Sequence, residues 1–175
     1  RVSVMNKNSE LLEWIKAILI AIVVAFIIRT FLIENVEVNQ ISMNPTFYEG
    51  DRVIISKLSY KFNEPELGDI IVFTPPNQKQ PYIKRVIGVG GDTVAIKDGK
   101  LYINGNVIDE PYIQEEMTQD FDQVHVPEGT VFVMGDNRNY SKDSRNPSVG
   151  FIPIENIWGK VKFRYWPLSK MQWFN

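Results

Sequence analysis

Residues 80–92, QPYIKRVIGVGGD, form an apolar run that closes on glycines. Its β-branched and aromatic side chains predict a β-strand that ends in a tight turn. Side chains alternate between the two faces of a strand, so Lys84 shares a face with Tyr82 and Val86, and Arg85 lies on the other face. One basic side chain can therefore reach water, whereas the other must lie against apolar neighbours. An edge strand whose lysine extends into solvent is the simplest interpretation of this stretch alone.

The chain beyond residue 34 repeats this alternation of short β-rich runs and turn residues. Two dipeptides, Asp98-Gly99 and Asn104-Gly105, are strong signals for tight hairpin turns. We expect one antiparallel all-β domain over residues 34–175, with a hairpin insertion at about 95–125 and a mobile polar connection at 115–123. The predicted strands are DRVIISK (51–57), DIIVFT (69–74), YIKRVIGV (82–89), DTVAI (92–96), KLYI (100–103), TVFVMG (130–135) and WGKVKFRYW (158–166).

The N-terminal part is apolar from Leu11 to Ile33, 23 residues that would measure about 34 Å as an α-helix. Its uncharged centre spans only twelve residues, but Lys16 and Arg29 at its ends can extend to the lipid headgroups. A cleaved signal peptide would need a small-x-small site after the apolar run, and a buried helix would carry a polar stripe. The sequence has neither feature, so we predict a transmembrane anchor helix over residues 11–33.

The charges around this segment predict its orientation. Basic residues precede its centre and acidic residues follow it: Arg1, Lys7 and Lys16 come before, and Glu34 and Glu37 come after. Because cytoplasmic flanks carry the excess of Lys and Arg, residues 1–10 are expected in the cytoplasm and residues 34–175 outside it. The sequence thus predicts a single-pass protein of the cell membrane with an extracytoplasmic domain.

Composition excludes several kinds of chemistry. The 175 residues carry a net charge of −2, so no overall basic field attracts a nucleic acid. The chain has no cysteine, which excludes disulfides, thiol nucleophiles and cysteine-based metal sites. Its single histidine, His125, cannot build a multi-histidine zinc site. The remaining candidate nucleophiles are serine, threonine, lysine and the carboxylates.

A serine nucleophile needs a base, and a lysine can serve as one if it is neutral at the working pH. Burial penalises the ammonium form and lowers the lysine pKa from about 10.4 toward ~7–8. Lys84, which shares a strand face with Tyr82 and Val86, is the lysine best placed for such burial. The other lysines of the β-rich region mostly lie beside polar or turn residues.

Ser42 is the candidate nucleophile, within VEVNQISMNPTFYEGD (36–51). A short strand leads into it, and Pro45 restricts Asn44 to an extended or turn conformation. Such a sharp junction can present a side chain together with its own backbone N–H, as an oxyanion site requires. An ordinary turn is the alternative interpretation.

A third polar region, MGDNRNYSKDSR (134–145), directly follows the apolar run TVFVM. A calcium loop is excluded, since the sixth position from Asp136 is not glycine and the twelfth is Pro147. The region is either a polar surface turn or a group of side chains that orients a base.

Four blocks occur in order: SMNPTFYEGDRV (42–53), LGDIIVF (67–73), YIKRVIGVGGD (82–92) and GDNRNYSKDSR (135–145). With the apolar N-terminal segment, they resemble the bacterial type I signal peptidases, and the compact length resembles the Gram-positive-type members with one anchor. That family consists of membrane-anchored Ser–Lys proteases that remove signal peptides from exported proteins. The resemblance implies an all-β, partly barrel-like catalytic domain of antiparallel sheets with an N-terminal transmembrane helix, and no metal or organic cofactor.

The resemblance also implies roles for individual residues. Ser42 matches the nucleophile of the family and Lys84 matches its general base. Further matches are Ser141, which would orient the lysine amine, Asp143 and Arg145, which would form a supporting ion pair, and Met43, near the substrate groove and the membrane surface. The chain departs from the family at Gln40, where a small residue is usual. The Gln40 amide can donate to the oxyanion beside the Ser42 backbone N–H, but its bulk can crowd the groove.

The implied partners are the signal peptides of exported preproteins and the lipid bilayer, without nucleic acid or metal. Two other functions compete with this interpretation. A self-cleaving peptidase of the repressor type shares the Ser–Lys dyad, but it would carry a DNA-binding module in place of the apolar helix. A catalytically silent, membrane-tethered β module that binds secreted chains would fit the substitution at Gln40. Such a decayed site, however, has no physical reason to keep a lysine beside apolar groups.

Overall fold

The computed structural model describes residues 7–76 and 78–174. Helix α1, Lys7–Ile27, continues into a π-helical turn, Ile28–Leu32. Strand β1 begins directly after this turn, because Ile33 already pairs with the next strand. The helical segment therefore starts at Lys7, before the predicted 11–33 range. It ends at Leu32, one residue before the end of that range.

Helix α1 carries both exposed apolar side chains and charges. Its first half includes Glu10, Glu13 and Lys16. Apolar side chains that are more than 60% exposed occur along its length at Leu11, Trp14, Leu19 and Phe26. Within residues 7–76 and 78–174, no helix combines the length and the apolar character needed to cross a membrane.

Twelve β-strands follow helix α1 in the part of the chain that the structure describes. They are β1 (Ile33–Glu37), β2 (Arg52–Ser56), β3 (Ile70–Phe73), β4 (Tyr82–Val89), β5 (Thr93–Lys97), β6 (Lys100–Ile103), β7 (Asn106–Val107), β8 (Phe121–His125), β9 (Thr130–Met134), β10 (Ile152–Pro153), β11 (Ile157–Trp166) and β12 (Gln172–Trp173). The connections include helix α2 (Ser59–Phe62) and 3-10 turns at Ile41–Met43, Arg138–Tyr140, Ile154–Asn156 and Leu168–Lys170.

The strands form two antiparallel sheets. The large sheet has the order β1-β2-β11-β3-β4-β9-β10, with β12 added to β11, and the small sheet has the order β7-β6-β5-β8. Every strand pair among the described residues is antiparallel, which confirms the predicted all-β class. Asp98 and Asn104 adopt positive φ angles of 50° and 52° in the turns that flank β6, so both hairpin signals are confirmed.

The polar connection predicted at residues 115–123 is only partly a loop. Strand β8 begins at Phe121 and pairs with β5 as the edge of the small sheet. The Phe121 ring packs 5.6 Å from that of Phe132 on β9, which attaches this edge to the large sheet. Edge strands carry polar side chains, so the sequence FDQVH does not distinguish such a strand from a polar loop. The division of the chain into domains, with an insertion at about 95–125, stays a prediction.

Strand β4 has the bounds expected from the sequence and lies between β3 and β9. Ile83 packs in one core cluster with Met43 and Phe47. Tyr82 and Val86 pack in another cluster with residues of β3 and β9. Because both faces of β4 are covered, a side chain on this strand reaches solvent only with difficulty.

Candidate active site

Ser42 lies in the 3-10 turn that follows β1. The neighbouring side chains of Met43 and Phe47 are 1% and 0% exposed and fix the turn to the core. Gln40, immediately before the turn, is extended, with φ −142° and ψ 147°. The sequence therefore forms the predicted strand-to-turn junction, and Ser42 is held in it with only 6% of its surface exposed.

Lys84 on β4 extends to this serine. Its Nζ lies 2.7 Å from Ser42 Oγ and also donates to the carbonyl oxygen of Ile83 at 3.0 Å. The Tyr82 ring centroid is 4.9 Å from Nζ, as expected for side chains on one strand face. The fold thus brings together two groups that are 42 residues apart in sequence, at hydrogen-bond distance. Their catalytic roles stay a prediction.

The environment of Lys84 disfavours its charged form. The residue is 0% exposed, and burial lowers its pKa from 10.5 to about 8. The carboxylates of Asp143 and Asp136 oppose this shift, because negative charge favours the ammonium. At pH 7 about one-tenth of the lysine would then be neutral, against fewer than one in a thousand for an exposed lysine.

Asp143 and Arg145 form the ion pair that the resemblance implies. Arg145 Nε lies 2.8 Å from Asp143 Oδ1, and the Asp143 side chain is fully buried. Asp143 Oδ2 also accepts a hydrogen bond from the backbone N–H of Gly135 at 3.1 Å. A guanidinium and a backbone donor therefore both interact with the Asp143 carboxylate. These interactions reduce its tendency to raise the pKa of Lys84.

Ser141 lies at the same loop, packed against Gly135. A Cβ atom on Gly135 would collide with Ser141 Oγ and with the carbonyl oxygen of Ser42, so this close approach requires glycine. Among the described residues, the buried Ser141 Oγ has no hydrogen-bond partner. Its role in orienting Lys84 therefore stays a prediction.

A family model described as "Signal peptidase, peptidase S26" matches residues 11–166. The chain belongs to this family. It is 42% identical to Signal peptidase I of Bacillus licheniformis, over 95% of each chain. It is 41% identical to Thylakoidal processing peptidase 1, chloroplastic, of Arabidopsis thaliana, over 89% of this chain and 48% of that one.

A crystal structure of a signal peptidase I from Enterococcus faecalis V583 is also similar. The two chains superpose with a TM-score of 0.51 and 38% sequence identity, over 56% of this chain and 97% of that one. The resemblance read from the four sequence blocks is thus confirmed, and this signal peptidase family member is a serine peptidase.

Arg85 of this peptidase, on the other face of β4, has a partner that the sequence did not indicate. Its side chain is 11% exposed and makes a bidentate ion pair with Asp136 at 2.8 and 2.7 Å. Thr46, in the loop after the serine turn, also donates to Asp136 Oδ2. The antiparallel register of Arg85 with Met134 could have indicated this contact, since it brings the start of the polar loop beside β4.

Asn137 is a second residue of the site that the sequence did not identify. Its backbone N–H donates to the carbonyl oxygen of Ser42 at 3.0 Å, and its Nδ2 donates to that of Ile41 at 3.1 Å. Both bonds hold the backbone of the serine turn from the side of the polar loop. Asn137 therefore links the loop that carries Asp143 to the candidate nucleophile.

Two clefts meet at Ser42. A cleft of about 180 Å³ lies between residues 36–43 and 80–83, and its lining includes Met43 and Ile83. A second, more open cleft of about 370 Å³ is lined by Tyr140 and Lys142, among others. Gln40 and Ser42 line both clefts, so an elongated ligand that crosses the serine would also contact Gln40.

Proposed function

We propose that this peptidase cleaves signal peptides from exported preproteins, with Ser42 as nucleophile and Lys84 as general base. One observation carries the proposal: the Lys84 amine, excluded from water, lies 2.7 Å from the Ser42 hydroxyl. The substrate class is supported by the relatives named signal peptidase I, which align over nearly the whole chain.

The proposed reaction is acyl transfer. Neutral Lys84 removes the proton from Ser42 Oγ, which attacks the scissile carbonyl carbon. The resulting ammonium donates this proton to the leaving amine, so the peptide bond breaks and an ester on Ser42 remains. Water then attacks the ester as Lys84 takes a proton from it. Lys84 donates this proton to Ser42 Oγ when the ester bond breaks, which releases the signal peptide and restores Ser42.

The oxyanion of each tetrahedral intermediate needs hydrogen-bond donors. The backbone N–H of Ser42 is the first proposed donor, and the side-chain amide of Gln40 is the second. Gln40 is half-buried beside the serine and lines the clefts on both sides of it. From this position we propose a donor role for Gln40.

The cleft of about 180 Å³ between residues 36–43 and 80–83, which we call the narrow cleft, is the proposed site for the signal peptide. It runs between two extended segments, residues 36–40 and 80–83, so a substrate strand could pair with backbone groups on either side. The family resemblance implies selection of small residues one and three positions before the cleaved bond, and we propose the same selection in this cleft.

The experiment for this function is cleavage of a purified preprotein between pH 5 and 10. We expect a product with a discrete mature N-terminus, and a kcat/KM that rises with pH through about 8 as Lys84 loses its proton. The sign follows from the lowered pKa, since the neutral base is the minor form below pH 8. Each unit below that pH should reduce kcat/KM about tenfold.

Two outcomes of this experiment would contradict the proposal. Binding of the preprotein without cleavage at any pH would favour the silent binding module. A rate that is flat down to pH 5 would exclude Lys84 as the neutral base.

We also propose that helix α1 attaches the enzyme to a membrane. Its apolar side chains are largely exposed, including Leu19 and Ile22 at 61% and 62%, and lipid would remove them from water. A single crossing with a cytoplasmic N-terminus stays the prediction made from the charge distribution.

Flotation with phospholipid vesicles tests the attachment. The parent protein should float, and the double variant Leu19→Glu/Ile22→Glu should stay at the bottom of the gradient, because two charges oppose burial in lipid. Val107→Glu places a charge at another exposed apolar position, 55% exposed on the small sheet, and should float like the parent. Flotation of the double variant at the parent level would contradict attachment by α1.

A further inference from the structure

The connection between β7 and β8 packs onto the polar loop of the active site. We call residues 109–119 the docking segment and residues 135–145 the catalytic loop. Glu110 of the docking segment makes a bidentate ion pair with Arg138 of the catalytic loop, at 2.6 and 2.7 Å. Their side chains are only 4% and 0% exposed. A carboxylate and a guanidinium are thus buried against each other where the small sheet meets the loop.

Further contacts hold this pair in one geometry. Tyr112 donates from its hydroxyl to Glu110 Oε1 at 2.7 Å, and its ring centroid lies 3.9 Å from the Arg85 guanidinium. On the other side of the pair, Asn139 accepts from the backbone N–H of Thr118 at 3.1 Å. The docking segment therefore contacts both the strand that carries Lys84 and the two loop residues that follow Asn137.

Arg138 connects the docking segment to the backbone of the catalytic loop. Its Nε donates to the carbonyl oxygen of Gly135 at 3.0 Å, and its own carbonyl oxygen accepts from Arg145 at 2.7 Å. The residue before it, Asn137, makes the two hydrogen bonds to the turn of Ser42. A change in the orientation of Arg138 therefore acts on Asn137 and, through it, on the serine turn.

Removing one partner of the Glu110–Arg138 pair would strongly destabilise the fold. Burial by itself lowers the pKa of Arg138, but the hydrogen bonds and charge of Glu110 outweigh it and raise the pKa above its usual value. Without Glu110, an uncompensated guanidinium would remain in a site without access to water, and the loop would have to move to solvate it. A bidentate pair also fixes direction as well as distance, which an apolar contact does not.

We propose that Glu110 is a positioning residue of this peptidase: by holding Arg138 in one orientation, it keeps Asn137 bound to the serine turn and Ser42 within reach of Lys84. This inference rests on the proposed function of the Ser42–Lys84 pair. It gives the small sheet a part in catalysis, although Glu110 contacts neither the substrate cleft nor the reacting atoms.

The test compares Glu110→Leu with the double variant Glu110→Leu/Arg138→Met in the full chain. Glu110→Leu should lower the Tm and reduce kcat for preprotein cleavage by about 10²-fold, since a small displacement of a reacting group costs this much. KM should not change, because the docking segment does not line the narrow cleft. The double variant removes the unpaired charge, so its Tm should return toward that of the parent while its kcat stays low.

A matched control separates positioning from general destabilisation. Leu101→Ala removes a buried side chain from β6 of the same small sheet and leaves the ion pair in place. This variant should have a lower Tm but the kcat of the parent at a temperature where it is folded. A loss of kcat in Leu101→Ala as large as in Glu110→Leu would overturn the inference, since it would indicate a merely structural role.

The double variant keeps the inference testable even if Glu110→Leu does not fold. A double variant with the Tm and the kcat of the parent would overturn the positioning role. Failure of the proposed function has a different result, in which Ser42→Ala or Lys84→Met retains turnover. If both of those variants are inactive and the double variant is fully active, only the role of Glu110 fails.

Discussion

Replacing Ser42 with alanine should reduce kcat for preprotein cleavage by about 10⁶-fold, the size of loss seen when a protease nucleophile is removed. The hydroxyl is the group that Lys84 contacts at 2.7 Å, and no other hydroxyl forms a hydrogen bond to Nζ among the described residues. The fold should survive, because Met43 and Phe47 hold the turn independently of the hydroxyl. Single-turnover cleavage and a thermal unfolding curve measure the two effects separately.

The control for this variant is Ser148→Ala. Ser148 is an exposed serine that follows the catalytic loop, so its replacement should leave both kcat and Tm at the parent values. Turnover by Ser42→Ala within about 100-fold of the parent would exceed what binding and oxyanion donors alone supply, and would mean that another residue is the nucleophile. The variant should still bind the preprotein, because the cleft lining is otherwise intact.

The sequence predicted well those features that depend on local chemistry. Strand β4 was predicted at its observed bounds because its β-branched run is bounded by Pro81 and the glycines at 90 and 91. The two hairpin turns followed from the preference of Asp-Gly and Asn-Gly for positive φ. The short strand expected before Ser42 is β1, but its start could not be located, because its first residue, Ile33, continues the apolar run of the helix without a turn signal.

The features that the sequence missed depend on contacts between distant segments. Side-chain alternation places Arg85 on the face of β4 opposite to Lys84 but does not identify its partner, Asp136, which is 51 residues away. That contact needs the register between β4 and β9, which side-chain alternation alone does not specify. The Glu110–Arg138 pair likewise joins two polar loops whose composition indicates only exposure. Residue types and family blocks identify Ser42 and Lys84 in the sequence. The distance between their side chains, in contrast, is known only from the folded structure.

The electrostatic design of the site follows from these distant pairs. Asp136 and Asp143 lie close enough to favour the charged form of Lys84, yet each also has an arginine partner, Arg85 or Arg145. Desolvation of Lys84 outweighs the effect of the two carboxylates, so the lysine pKa falls. The site thus combines a dry lysine with nearby carboxylates that fix the geometry of the loop.

Replacing Lys84 with methionine should therefore produce a stable but inactive enzyme. Loss of the proposed general base should reduce kcat by about 10³–10⁴-fold, near the upper limit for proton transfer by a positioned side chain. Methionine has a similar length and no charge, so it avoids the desolvation penalty of a fully buried lysine. The Tm should equal or exceed that of the parent. Thermal unfolding and single-turnover cleavage at pH 8 measure both quantities on one preparation.

Lys97→Met is the matched control for this prediction, since Lys97 is an exposed lysine at the end of β5. It should change neither kcat nor Tm, because an exposed ammonium has no desolvation penalty to lose. A Lys84→Met enzyme with turnover within about tenfold of the parent would exclude the lysine as base, as the smallest expected contribution of such a base is larger. A large fall in Tm would instead assign Lys84 to the stability of the core. A stable, inactive variant is the result expected if Lys84 is retained for its chemistry although its burial destabilises the fold.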